Sequence, residues 1–251
     1  MSDLLVIDKN SVRFLALNRP DKRNALNSNL ITELKLALTE ADNEDLLRAV
    51  VIRGEGKDFC SGADLTEMQK ISENSYEENL EDARNLSELF SLIRKVKIPV
   101  IAAVHGRALA GGCGLATACD LIIATKTARF GYPEVKIGFV PAIVMALLRR
   151  NLSEKRAFAM ITQGFEFSAE QAFAIGLVNE LFDDKEFNES VDRYASVYEK
   201  VSRSAVVMSK QLLYRMDGMS FGDSMNKGAE TNAKARMTDD CKAGTARFLK
   251  K

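Results

Sequence analysis

Apolar positions along this chain follow two rhythms. Leu4 to Ile7 and Val12 to Leu17 are short apolar runs split by Asp8-Lys9-Asn10-Ser11, which predicts a hairpin. Ala49 to Ile52, Pro99 to Val104 and Asp120 to Ala124 are unbroken apolar runs of strand length, the pattern of strands buried on both faces. Between them, Leu30, Ile31, Leu34, Leu36 and Leu38 recur at helical spacing behind Ser28, a suitable N-cap, and Leu86 to Val96 is helical again. Glu73 to Asp82 is polar and reads as a mobile loop. Pro141 opens a helix through Arg150, Ser153 and Glu154 start another that ends near Gly164, and Ser168 caps a third closed by Gly176. Leu177-Val178-Asn179 reads as a last short strand. Strands alternating with helices predict an α/β core over residues 1–186. From Phe187 the pattern turns wholly helical and charged, which sets off a C-terminal region over 187–251 that packs on the core or on a neighbouring subunit.

The centre of this pattern is the stretch from His105 to Glu134. An apolar strand ends before it, a small-residue loop follows from Arg107 to Ala110, and Gly111-Gly112 opens a short apolar helix. Free backbone N–H groups at such a helix start favour an oxygen that gains negative charge. Glycine lets a ligand approach the backbone closely.

Charge and composition narrow the partners. Lys+Arg and Asp+Glu both number 35, so nothing marks nucleic acid or an anionic membrane as the partner. No apolar run reaches the ~20 residues of a membrane span, and the start of the chain lacks the basic residues and apolar core of a signal peptide. Cys60, Cys113, Cys119 and Cys241 are scattered, with a single histidine to help, which argues against zinc and against a disulfide scaffold. Reduced thiols fit a cytoplasmic protein.

Several familiar motifs fail on inspection. Gly112-Cys113-Gly114 has Thr117 where a dinucleotide fingerprint needs its third glycine. Gly54 to Lys57 has the wrong spacing for a phosphate loop, and Phe59 breaks the nucleophile-elbow pattern around Ser61. His105, directly behind a buried strand, reads as structural. What remains is a constellation. Two glycine turns, Gly62-Ala63 and Gly111-Gly112, each follow a buried strand, and a lone carboxylate, Glu134, follows Pro133. Two N–H donors and one carboxylate are the parts needed to hold an enolate and move a proton beside it. Taken singly, a glycine pair is more often a packing device and a Pro-Glu dipeptide a solvated turn.

The chain resembles the crotonase (enoyl-CoA hydratase/isomerase) family over nearly its whole length. The resemblance is carried by NRPDKRNALN (Asn18 to Asn27), DFCSGADL (Asp58 to Leu65), HGRALAGGCGLATACDLIIA (His105 to Ala124), FGYPEVKIG (Phe130 to Gly138) and FSAEQAFAIGLVN (Phe167 to Asn179). It implies a spiral of ββα units with a helical C-terminal trimerisation region, a homotrimer or homohexamer, and an acyl-CoA thioester as substrate, with no separate cofactor or metal. It places the oxyanion amides on Ala63 and Gly111 and the acid/base on Glu134. Lys22 and Arg23 would meet the coenzyme A phosphates, while Ala25, Ser61 and Asp64 belong to the loops around its adenine and pantetheine. Gly112, Met68 and Phe139 would line the acyl side, and Phe248 and Lys251 would complete the nucleotide site of an adjacent subunit.

One departure matters most. Family hydratases carry a first glutamate where this chain has Gly114, so a helical glycine there implies either close packing or room for substrate. Pro141 to Met145 also replaces a glycine-rich segment, making that wall apolar. With apolar Phe139, Val140 and Ile143 beside it, Glu134 is expected to titrate high. The resemblance implies an enoyl-CoA hydratase working with a single glutamate. The alternatives are a 3-enoyl-CoA to 2-enoyl-CoA isomerase, which needs only one acid, and a non-catalytic acyl-CoA-binding protein.

Overall fold

The apolar runs pair into one large sheet, as their pattern predicts. A computed structural model describes residues 2–64, 68–69 and 73–249. The sequence also predicts a short helix beginning over Asp64 to Met68; most of it, like Lys251, lies outside the described residues. Strands β1 (Leu4–Lys9) and β2 (Val12–Leu17) form the antiparallel hairpin, with Leu4 opposite Leu17. Then β2, β3 (Ala49–Gly54), β4 (Val100–Val104), β6 (Leu121–Thr125) and β9 (Glu180–Phe182) run parallel, completing the order β1-β2-β3-β4-β6-β9. A second, three-stranded sheet contains β5 (Arg107–Leu109), β7 (Arg129–Gly131) and β8 (Glu166–Ser168).

Both faces of the large sheet are covered, which explains the unbroken apolar runs. On one face Val50, Ile52, Val100 and Ala102 join the main core with helices α1 (Ser28–Asn43), α2 (Tyr76–Lys95) and α3 (Gly111–Ala118). On the other, Phe14, Val51, Ile101 and Ile123 meet Phe187 and Val191 of α7 (Phe187–Ala195). Helices α4 (Ala142–Asn151), α5 (Glu154–Gln163) and α6 (Ala169–Ala174) add Leu148, Met160 and Ala172 to the main core.

The ββα expectation is met. Strand β4 passes to β5 and then to α3, and β6 passes to β7, each unit spanning both sheets. The C-terminal helices are α8 (Arg203–Arg215), α9 (Phe221–Met237) and α10 (Asp239–Leu249). Lys210 anchors α8. Its Nζ donates to Asp120 at 2.6 Å and to the Ile93 and Ile98 carbonyls, and Tyr214 donates to the other Asp120 oxygen at 2.5 Å. Helices α9 and α10 bury no residue, and Phe221, Met225, Met237 and Phe248 stand exposed.

Four local expectations need correction. The loop expected over Glu73 to Asp82 is helical from Tyr76, because Ser75 and Glu78 form a reciprocal capping box and acidic residues fill the first turn. The loop expected over Arg107 to Ala110 contains β5, whose three residues are too few to show a period. Asn27, not Ser28, caps α1; its extended backbone lets the side chain accept from the Leu30 N–H. The last strand lies at Glu180–Phe182, three residues beyond the apolar run, because Leu177 and Val178 turn into the core.

Candidate active site

The small sheet sets the register of the site. Cys60 pairs in parallel with Ala108, and Ala108 pairs in parallel with Phe130. Three residues past each of these stand Ala63, Gly111 and Pro133. Successive turns of the spiral therefore bring the two glycine turns and the Pro133-Glu134 segment side by side. The first two turns touch: a Cβ built on Gly62 would lie 2.8 Å from the Ala110 Cβ and 3.4 Å from the Gly111 nitrogen.

The amides are positioned by their neighbours. The Leu26 N–H donates to the Gly62 carbonyl at 2.7 Å, and the Asp64 N–H donates to the Leu26 carbonyl at 3.0 Å. Alternation along an extended segment then aims the intervening Ala63 N–H away from Leu26. Among the described residues this N–H has no backbone acceptor. Gly111 is the first residue of α3, where N–H groups have no partner within the helix. Ala110, just before it, holds φ 48° and ψ −127°, a costly conformation for a non-glycine residue, fixed by its own N–H donating to the Gly131 carbonyl at 2.8 Å. Gly112 is a packing requirement: a Cβ there would meet the Cys60 carbonyl oxygen at 2.3 Å. Its absence lets α3 sit directly on the first turn.

Glu134 begins the short 3-10 turn Pro133–Ile137 behind β7. Its side chain is partly buried, and its Oε2 is enclosed with no hydrogen-bond partner among the described residues. Burial raises its pKa above the ordinary carboxyl value. Cys113 on α3 and Tyr132 also titrate above their ordinary values, mainly because both are buried, with a smaller contribution from the Glu134 charge. Two of the three apolar groups expected beside it are exposed. Phe139 and Val140 are 52% and 57% exposed, because the αL turn at Gly138 carries the chain outward. Ile143 alone of the three packs against the core.

Of the two readings of Gly114, close packing is the one observed. A Cβ there would lie 2.7 Å from Val144 Cγ2 and 3.1 Å from two ring carbons of Phe90. Hydrocarbon from α4 and α2 occupies the space that a Cβ at this position would need.

The coenzyme A candidates divide. Lys22 and Arg23 are exposed on a turn where Arg23 and Asn24 both take positive φ. Ser61 donates its N–H to the Arg23 carbonyl and Ala25 to the Lys22 carbonyl, so those two amides are used within the protein. The Asp64 carboxylate is buried and paired with Arg19 at 2.7 Å. Met68 is half-buried, and Phe248 is 80% exposed on α10, remote from these turns in sequence. Residue-by-residue reading missed Arg19 and Asn24, which build the turn. The buried Asn24 amide donates to the Glu55 and Asp58 carbonyls, both at 2.8 Å, and its oxygen accepts from the Arg19 N–H. The available signal was an asparagine in a turn, since asparagine tolerates the left-handed region.

His105, read as structural in the sequence, hydrogen-bonds through its Nε2 to the Gly56 carbonyl at 3.0 Å. Among the described residues no three His, Cys, Asp or Glu side chains gather as a metal site. A cavity of about 330 Å³ lined by Arg53, His105, Asp184 and Asn188 opens at the ends of β3, β4 and β6. It shares no residue with the constellation, and its arginine pairs with Glu55 at 3.4 Å.

Residues 8–251 match the family described as enoyl-CoA hydratase/isomerase. A Thermus thermophilus protein described as an enoyl-CoA hydratase is 37% identical, with 99% of this chain and 98% of that protein aligned. The 2,3-dehydroadipyl-CoA hydratase of Escherichia coli is 33% identical over 100% of this chain and 97% of its own. The crystal structure of an enoyl-CoA hydratase from Mycobacterium smegmatis superposes with a TM-score of 0.94 at 33% identity, covering 99% of this chain and 96% of that one.

Proposed function

The chain belongs to the enoyl-CoA hydratase/isomerase family, and from that premise we propose that it hydrates the 2,3 double bond of an enoyl-CoA thioester with Glu134 as its single acid/base. The observation that carries this reading is the contact between the Gly62-Ala63 and Ala110-Gly111 turns, with Glu134 on the next turn of the spiral. The thioester oxygen accepts from the Ala63 and Gly111 N–H groups. Glu134 takes a proton from water as the water oxygen bonds to C3, and the electron pair of the double bond moves onto the thioester as an enolate. Glu134 then returns the proton to C2. Each amide of such a pair contributes about 2.7–4 kcal/mol in the transition state.

The filled space at Gly114 favours a second reading, isomerisation of a 3-enoyl-CoA, in which Glu134 removes a proton from C2 and delivers it to C4. A non-catalytic acyl-CoA binder would have no need of the Ala110 strain or of a partly buried acid whose Oε2 is enclosed without a partner among the described residues. Paired assays on crotonyl-CoA and a 3-enoyl-CoA separate the readings, with Glu134→Gln as control. Loss of conjugated-thioester absorbance identifies the hydratase, its gain the isomerase, and silence with retained coenzyme A binding the binder.

In the same reading Lys22 and Arg23 meet the phosphates, and Ser61, Ala63 and Met68 border the pantetheine and acyl chain. The exposed apolar residues of α9 and α10 support burial against other copies, in a homotrimer or homohexamer where Phe248 approaches a neighbour's nucleotide site. The division into a core over 1–186 and an oligomerising region over 187–251 belongs to this reading. Among the described residues no helix is long and apolar enough to cross a membrane; a cytoplasmic location is part of the proposal.

A further inference from the structure

We propose that Tyr132 and Thr117 form a positioning pair that sets Glu134 against the Gly111 amide. This inference rests on the reading of Glu134 as the acid/base. Tyr132 stands two residues before Glu134, and its side chain is completely buried. Its hydroxyl lies 2.7 Å from Thr117 Oγ1, on α3, the helix that Gly111 begins. The donor can be assigned. Thr117 has one hydroxyl proton, and it donates that proton to the Cys113 carbonyl at 2.8 Å. Tyr132 is therefore the donor and Thr117 the acceptor.

A second bond ties the same two segments at the other end of α3. The Ala110 N–H donates to the Gly131 carbonyl at 2.8 Å. Gly131 and Tyr132 are adjacent, while Ala110 and Thr117 are seven positions apart, two turns of helix. The base-bearing segment is thus fastened to α3 both at the start of the helix and two turns along it. With β7 already paired to β5 and β8, the two bonds set the direction in which Pro133 and Glu134 leave that strand.

The Tyr132 contact suits this role because it is replaceable only at a cost. Both hydroxyls are buried, so removing Thr117 Oγ1 leaves the Tyr132 hydroxyl without its acceptor, while removing the Tyr132 hydroxyl leaves Thr117 with only its bond to the Cys113 carbonyl. Gly114, between Cys113 and Thr117, carries no second acid that could take over if Glu134 were misplaced. Displacement of a catalytic group by about 1 Å can cost on the order of 100-fold in rate.

The test is kinetic. Tyr132→Phe keeps the ring and deletes the hydroxyl, and Thr117→Val deletes the acceptor with its volume retained. Each is measured on crotonyl-CoA and a 3-enoyl-CoA beside Thr117→Ser, which keeps a hydroxyl. The expected result is a fall in kcat of about 10- to 100-fold in Tyr132→Phe and Thr117→Val, with KM within about twofold of wild type, non-additive loss in the double variant, and substantial retention in Thr117→Ser. A lowered melting temperature with undiminished kcat, in a background where Glu134→Gln abolishes turnover, overturns the inference and leaves the acid's role standing. Unchanged turnover in Glu134→Gln removes the reading beneath it.

Discussion

Val144 Cγ2 stands 2.7 Å from the point where a Cβ on Gly114 would be built. The two residues are complementary: one side chain occupies the volume the other gives up. Their contact joins α3 to α4 at the place where family hydratases carry a first glutamate.

Gly114→Glu therefore does not restore a two-carboxylate enzyme. The added side chain collides with Val144 and Phe90, and overpacking of this kind costs about 1–3 kcal/mol. Urea denaturation is expected to show the loss, with no gain in crotonyl-CoA hydration. Pairing it with Val144→Ala is expected to recover part of the stability.

The raised pKa of Glu134 has two consequences of opposite sign. As a base it works only when ionised, so kcat is expected to rise with pH through a midpoint above the ordinary carboxyl range. For stability, the unfolded chain ionises this carboxyl at lower pH than the native protein does. Stability from this group is present at acid pH and falls as pH rises from the unfolded pKa through the folded one. Glu134→Gln is accordingly expected to be inactive yet more stable than wild type at neutral pH, the difference shrinking in acid. Equal stability of the two proteins across that window would refute the burial argument.

Thiol chemistry reads the core directly. Cys60 and Cys113 are buried, and loss of solvation pushes both thiols up to about 12; Cys119, also buried, is raised further. Native protein treated with iodoacetamide near pH 8 is expected to be modified at Cys241, which is only half-buried, well before the other three. Peptide mapping by mass spectrometry distinguishes the sites.

Lys210 and Asp120 form the buried joint between α8 and the sheet. Lys210→Ala leaves Asp120 facing Tyr214 and the Val100 N–H without its counter-charge. Breaking one half of a buried pair costs about 3–5 kcal/mol. Chemical denaturation gives the magnitude, and proteolysis after residue 200 is expected to accelerate as α8 loosens.

How much of this was legible in the sequence follows from which forces are local. The unbroken runs at Val50, Ile101 and Ile123 announced central strands because burial on both faces leaves no room for polar alternation. Ser168 announced a helix start because an N-cap bond closes within four residues; the Gln171 side chain that completes a capping box there was found only in the structure. The five ordered blocks identified the family. By contrast, β5, β7 and β8 have three residues each, and their pairing energy comes from partners 20 or more positions away, so nothing local marks them. Arg19 and Asn24 looked like ordinary turn residues until Asp64, Glu55 and Asp58 closed around them.

The sequence by itself determined the chemical inventory: two small-residue turns, one acid, and a glycine in place of a second acid. Only the tertiary structure decided what that inventory amounts to. The distance between Ala63 and Gly111 depends on a parallel register between Cys60 and Ala108, 48 positions apart. The meaning of Gly114 depends on Val144 and Phe90, which reach it from two other helices. Residue types travel with the chain, but proximity and burial are properties of surfaces brought together, and those exist only once the spiral has closed.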